Sequence, residues 1–295
     1  MRFVFTTIFL FTCFLYAGAQ ADTATVKPPE KFWKTGGLAG FTFSQVTLHN
    51  WAAGGDNSIS GNIILNAFAN YSKGSVSWDN NFDMGYGLLK QNEAEARKTD
   101  DRIEFTSKYG RKINDKLFYS GMLNFRTQMF PGYDYKKEPG AKHYISDAFA
   151  PAYVTIALGV DFKPNDDFTL LFAPLTNKTT IVMNDSLTSA FGVEDGKNVR
   201  YEAGGFLRAA WKTNVMENVS MQTKVEFFSN YLENPQNVDI NWEVLVVMKI
   251  NKFLSANFSI QTIYDDDTKF ETESGTKVAK LQFKEIFGLG LNYKF

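Results

Sequence analysis

Histidine is the side chain whose ordinary titration falls near neutrality, and the 295 residues hold only His49 and His143, with Cys13 the single thiol. His143, Ser146 and Asp147 lie close together in the chain and are the residue types a hydrolase combines. Their activation depends on a geometry that spacing along a loop does not set, so no residue is assigned a catalytic role. Asp265, Asp266 and Asp267, with Glu271 and Glu273, offer the clustered oxygens that hard cations take, but not the glycine-patterned loop of an EF-hand. The cluster reads as a solvated acidic loop, and neither a metal nor a cofactor is expected. Glycine recurs at period two in Gly85 and Gly87, and again in Gly288 and Gly290. That spacing places small residues on one strand face and does not make a phosphate-binding motif.

The remaining chemistry lies in charges that alternate with apolar residues. Asp79, Asp83, Arg102, Glu104, Lys108, Arg126, Arg200, Glu202, Arg208, Lys212, Lys224, Glu226, Glu243 and Lys249 fall on the polar parity of stretches whose other parity is oily. Such alternation is the period of a β-strand. It is clearest at the carboxy terminus, where Leu281, Phe283, Phe287, Leu289, Leu291, Tyr293 and Phe295 share one face, joined by Glu285. The opposite face carries Gln282, Lys284, Ile286, Gly288, Gly290, Asn292 and Lys294. The same pattern runs through 60–71, 75–88, 117–129, 199–213, 221–231, 238–251 and 254–264. In all, about twelve strand-like segments follow one another without helices between them, which predicts an antiparallel meander. Two stretches fit poorly. Residues 168–183 contain Pro174 in mid-strand, where a ladder donor is missing, and residues 36–48 are glycine-rich and alternate weakly.

The connections alternate in length. Short ones fall near 72–74, 114–115, 164–166, 216–218 and 251–252, and long polar ones at 50–57, 90–100, 131–148, 184–198, 233–237 and 265–280. Short turns at one end and long loops at the other define an outer-membrane barrel with its long loops outside the cell. A sandwich gives no reason for every second loop to be long. Past the amino terminus, no segment approaches the roughly 20 apolar residues of a membrane helix. Mean hydropathy is −0.24 although 16% of residues are aromatic, as expected when grease is hidden by alternation. Residues 1–19 read as a secretory signal peptide: Arg2, an apolar core from Phe3 to Tyr16, then Ala17-Gly18-Ala19. Its removal takes Cys13 and leaves no disulfide or thiolate site. The near-zero net charge of −1 gives no reason to expect nucleic acid as a partner. The expected organisation is a signal peptide at 1–19, a periplasmic lead-in at 20–31, and an all-β transmembrane up-and-down barrel of about twelve strands at 32–295.

Several segments together resemble an uncharacterised outer-membrane barrel family, a domain of unknown function common in Bacteroidetes-type Gram-negative bacteria. They are Phe43-Ser44-Gln45-Val46, the run from Asn50-Trp51 to Ser58, Lys98-Thr99-Asp100-Asp101, Ser107-Lys108-Tyr109-Gly110, the run from Ala173-Pro174 to Thr180, and Phe191 to Lys197. The resemblance implies fold and location, brings no activity or ligand, and makes Pro174 part of the architecture.

With the oily parity toward lipid, the fourteen charged residues face the lumen. Their mixed signs favour cross-strand ion pairs over a single-sign filter. A barrel of this size lies between filled eight-stranded barrels and open porins. The expected role is a narrow pore or transport-related barrel for small polar solutes. The alternatives are a non-conducting structural or partner-binding surface barrel and, behind both, a surface hydrolase. Trp51, Gly54, Gly55 and Asp56 form a candidate recognition loop, although Trp51 equally suits an aromatic girdle with Trp33, Trp78, Trp211 and Trp242. Expected partners are outer-membrane lipid, a small polar solute, and the barrel-assembly machinery through the strand ending at Phe295.

Overall fold

The computed structural model describes residues 31–49, 52–53, 55–135, 143–272 and 275–295. The leader at 1–19, the lead-in up to residue 30, Trp51 and Gly54 lie outside the described residues. Strands are numbered in chain order: β1 (Trp33–Val46), β2 (Ser58–Lys73), β3 (Val76–Gln91), β4 (Arg97–Lys112), β5 (Leu117–Thr127), β6 (Gly132–Asp134), β7 (His143–Ser146), β8 (Ala152–Phe162), β9 (Phe168–Ile181), β10 (Val199–Met216), β11 (Val219–Asn230), β12 (Val238–Lys249), β13 (Leu254–Tyr264), β14 (Lys269–Glu271), β15 (Lys277–Ala279) and β16 (Gln282–Lys294). Twelve of them pair with their neighbours, each antiparallel, and β16 returns to β1 to close a barrel. The two hairpins β6–β7 and β14–β15 stand in outer loops, and a short 3-10 helix spans Asp185–Phe191.

The tight turns form because one asparagine can supply what the chain reversal lacks. Asn114 Oδ1 accepts from the backbone N–H groups of Lys116 and Leu117, each at 3.0 Å. Asn165 does the same for Asp167 and Phe168 at 3.0 and 2.9 Å, and Asn251 for Phe253 and Leu254 at 2.9 and 2.8 Å. This is the side-chain-capped turn that favours asparagine. In the turn between β2 and β3, Gly74 adopts φ +58°, which glycine takes without steric cost.

Alternation sets the two faces of the wall. On β16, Phe283, Phe287, Leu289, Leu291 and Tyr293 are exposed, while Gln282, Lys284, Gly288 and Asn292 turn inward and are half-buried. A row of exposed large apolar residues continues around the barrel through Ile63, Trp78, Leu123, Ile156, Leu175, Tyr201 and Trp242. Trp33, Tyr71 and Trp78 pack as a girdle cluster, with Trp33 5.2 Å from Tyr71 and 5.8 Å from Trp78 between ring centroids. The indole N–H groups of Trp78 and Trp242 donate to Ser107 and Thr223 at 2.9 and 3.0 Å, so neither is left bare in an apolar layer.

Both poorly fitting stretches have a physical account. Pro174 sits where β9 bulges against both neighbours: its pairing slips between Leu158 and Val160 of β8 and between Gly204 and Phe206 of β10. The bulge absorbs the missing N–H and switches the inward parity of β9. Leu171 and Ala173 are buried before it, and Thr176, Lys178 and Thr180 after it. Gly159 faces the bulge so closely that a Cβ there would lie 2.0 Å from the Phe172 carbonyl oxygen. The weak alternation of β1 reflects crowding at the closing seam. A Cβ on Gly37 would fall 2.3 Å from the Phe295 ring and 2.5 Å from the Asn66 carbonyl oxygen.

Candidate functional site

The inward charges meet in three tiers. Nearest the tight turns, Lys108 reaches Asp161 at 2.7 Å, both being joined to Thr169, and Lys163 pairs with Asp79 and Ser77. At mid-depth, Lys224 on β11 donates to both carboxylate oxygens of Glu104 on β4 at 2.8 and 2.9 Å. Arg102 on β4 meets Glu243 on β12 at 2.5 Å, and Arg208 on β10 meets Glu226 on β11 at 3.1 Å. Asn124 donates to Glu104 at 2.8 Å, and Asn241 to Glu226 at 3.0 Å. Asp83 is bonded by Asn66. The Lys224–Glu104 and Arg102–Glu243 pairs reach across the lumen between strands on opposite sides of the ring. Glu104 is fully buried, so mid-lumen is filled by paired charge.

The outer tier joins strand ends to loops. Lys178 on β9 meets Asp239 at 2.5 Å and Asp265 at 3.5 Å. Arg200 on β10 meets Glu202 at 2.8 Å and Asp267 at 2.7 Å. Asp266 accepts from Asn237 at 2.8 Å. This corrects the expectation of a solvated acidic loop: Asp265, Asp266 and Asp267 are half-buried and fold inward onto the lumen's cations. Burial alone would push the Asp265 carboxyl up. The Lys178 ammonium, the Asp267 backbone N–H and Arg200 together hold it below the ordinary carboxylate value. Glu202, Asp239 and Asp267 lie close enough to grip one cation. Lys178 and Arg200 already stand among them, so the protein's own charges serve that need.

Between the middle and outer tiers lies a cavity of about 260 Å³. Arg102, Arg126, Glu226 and Asn241 line its floor, Phe206, Phe228 and Ile263 its wall, and Phe191, Asp265 and Thr268 its loop side. Phe206 and Phe228 pack with Met122, Ala157, Leu171 and Ala173 as a buried apolar cluster inside the barrel.

Of the residues singled out in the sequence, Asp79, Asp83, Arg102, Glu104, Lys108, Arg126, Arg200, Glu202, Arg208, Lys224, Glu226 and Glu243 occupy these tiers, whereas Lys212 and Lys249 are exposed near the tight turns. Asp56 accepts from Asn92 at 2.6 Å, and Gly55 adopts φ +121°. Sequence reasoning did not single out Asp161, Lys163, Lys178, Asp239 and Lys284 as lumen charges and took Asp265 and Asp267 for a solvated loop, although all of them complete the pairs. It also missed the inward Phe206 and Phe228. The run Phe227-Phe228 carried a signal, since adjacent strand residues cannot both face lipid.

A closed antiparallel wall, greasy outside and charged inside, with tight turns at one end and long loops at the other, defines an outer-membrane β-barrel. Residues 43–133 match the family described as "Protein of unknown function (DUF3078)". That interval contains the Phe43, Asn50, Lys98 and Ser107 segments of the resemblance and excludes those at Ala173 and Phe191. No curated protein matches the chain. Among solved structures, it is similar to an outer membrane channel from Pseudomonas putida F1 at 10% identity, with 93% of this chain and 99% of that chain covered and a TM-score of 0.38. It is also similar to the translocator domain of the autotransporter NalP from Neisseria meningitidis at 9% identity, with 89% and 87% covered and a TM-score of 0.34. These likenesses add nothing to what the wall itself shows.

Proposed function

We propose that the barrel is transport-related: it receives a small solute in the cavity and holds its lumen shut below with the mid-depth tier of ion pairs. The observation that carries this reading is a ligand-sized cavity lying directly on a floor of paired charge. Buried pairs of this kind are poor stabilisers compared with apolar packing, so their presence across a lumen points to a gate. Residues 1–19 act as the export leader, and the strand ending at Phe295 presents the chain to the assembly machinery. The reading is non-enzymatic. On β7, His143 is exposed while Ser146 is buried, so the two are not presented together to a substrate. The same filled tier favours a second reading, a non-conducting surface barrel. Planar-bilayer recording separates the two. Wild-type protein rests closed, and Glu104→Ala/Lys224→Ala, which removes both sides of one pair, opens a steady ion current. A double variant as silent as wild type at every voltage sinks the transport reading.

A further inference from the structure

A membrane barrel must pair every strand edge, because each backbone group left open in hydrocarbon costs several kcal/mol. The seam between β1 and β16 departs from this. Gly37 and Phe295 exchange backbone hydrogen bonds at 2.9 and 3.1 Å, and the ladder then runs from Leu38 opposite Lys294 only as far as Thr42 opposite Gly290. β1 continues to Val46, paired on its other edge to Ser58 of β2. β16 begins at Gln282, paired on its other edge to Ile263 of β13. Among the described residues, no strand pairs with Phe43–Val46 or with residues 282–289 on the edges they turn toward each other. All four residues from Phe43 to Val46 are exposed. On the outer face of this stretch of β16, Glu285 stands exposed between Phe283 and Phe287, a carboxylate on the otherwise apolar outer face of that strand. Free edges and a lipid-side carboxylate mark one place where the wall is open to water and head groups.

The free edge also belongs to the cavity. Gln282 and Lys284 line it, and Lys284 spans the lumen to Asp100 on β4 at 2.7 Å, passing in front of β1, β2 and β3. On the cavity floor, among the described residues, Arg126 has no carboxylate closer than Glu226 at 3.7 Å, and its Nε is buried without an acceptor. A guanidinium so placed suits an incoming anionic head group, and Phe206, Phe228 and Ile263 beside it suit an apolar tail.

We propose that the cavity opens sideways to the outer leaflet between β1 and β16, with Lys284–Asp100 as its inner latch, and that it takes a single-chain amphipath with an anionic head. This rests on the cavity being the solute site, and it adds the ligand class and the route.

The test uses the barrel in phosphatidylcholine nanodiscs with radiolabelled decanoate as probe. Saturable binding is expected, weakened about tenfold or more by Arg126→Gln. The route is read separately. Gln45→Cys/Phe287→Cys in a Cys13→Ser background, bridged by oxidation or by a bis-maleimide, slows decanoate exchange at least tenfold without changing its dissociation constant. Asp100→Asn speeds exchange. Amide hydrogen exchange is fast at the alternate amides of 43–46 and 286–289 that point into the seam and slow at the seam-facing amides of 38–42. Unchanged exchange kinetics in the bridged protein, or slow amide exchange along the whole seam, overturns the lateral route. Absent or Arg126-independent binding overturns the ligand class. Current through Glu104→Ala/Lys224→Ala would still uphold the gate in either case, so the two failures are distinguishable.

Discussion

Replacing Lys224 with methionine removes one half of the central pair while keeping most of its volume. Glu104 is fully buried and takes two hydrogen bonds from Lys224, at 2.8 and 2.9 Å, and one from Asn124. Losing one partner of a buried pair costs about 3–5 kcal/mol, because the other charge is left uncompensated. The expected loss is about 3 kcal/mol, at the low end, since Arg102, Arg126 and Arg208 remain nearby. Glu104→Gln costs less, about 1–3 kcal/mol, because Lys224 retains Glu243 at 3.4 Å. The double variant Glu104→Gln/Lys224→Met therefore loses less than the two single losses combined, by roughly 1 kcal/mol or more. Urea unfolding in lipid vesicles at neutral pH, followed by tryptophan fluorescence, measures all three. The reasoning is refuted if Lys224→Met stays within about 0.5 kcal/mol of wild type or if the losses simply add.

Gly159→Val places a side chain into the Phe172 carbonyl and abolishes assembly, read as loss of the heat-modifiable folded band on gels, whereas Gly61→Ala, whose nearest neighbour atom is 3.5 Å away, folds normally. Gly37→Val clashes with the Phe295 ring and with the Asn66 carbonyl oxygen and blocks seam closure; Phe295→Ala, which relieves only the first clash, leaves the double variant unfolded. Because the Asp265 carboxyl is held below its ordinary value, its contribution is complete above about pH 4 and is lost as pH falls through the lower folded value. Hydrogen exchange at the Asp267 and Thr268 amides, which donate to Asp265 at 2.9 and 3.3 Å, therefore gains protection up to about pH 4 relative to Asp265→Asn and holds it above; equal protection at pH 7 in both proteins contradicts this. Glu285→Leu, which removes the carboxylate from the lipid face, makes the barrel more resistant to urea by about 1 kcal/mol.

Strand periodicity and the alternating loop lengths were readable because each depends on residues a few positions apart. The partners in the lumen were not. Lys284 and Asp100, or Lys224 and Glu104, come together only when the ring closes, and nothing in the chain between them encodes that meeting. Pro174 defeated parity counting because a bulge changes which face a residue takes without changing its type. The acidic run at Asp265 looked like solvent-loving loop because composition records charge but not the Lys178 and Arg200 that draw it inward. His143, Ser146 and Asp147 were left without a role because spacing along a loop does not set the geometry that would activate them.

The asparagine-capped turns have a kinetic corollary. Asn114, Asn165 and Asn251 each fold a corner using atoms two or three residues away, so the β4–β5, β8–β9 and β12–β13 hairpins close over short stretches of chain and are the quickest units to form. The β1–β16 seam joins the two far ends of the barrel sequence, the slowest encounter the chain must make. Its short ladder is thus the last hydrogen-bonded edge to be made and the first to part, so the wall assembles as preformed staves and ends on its weakest joint.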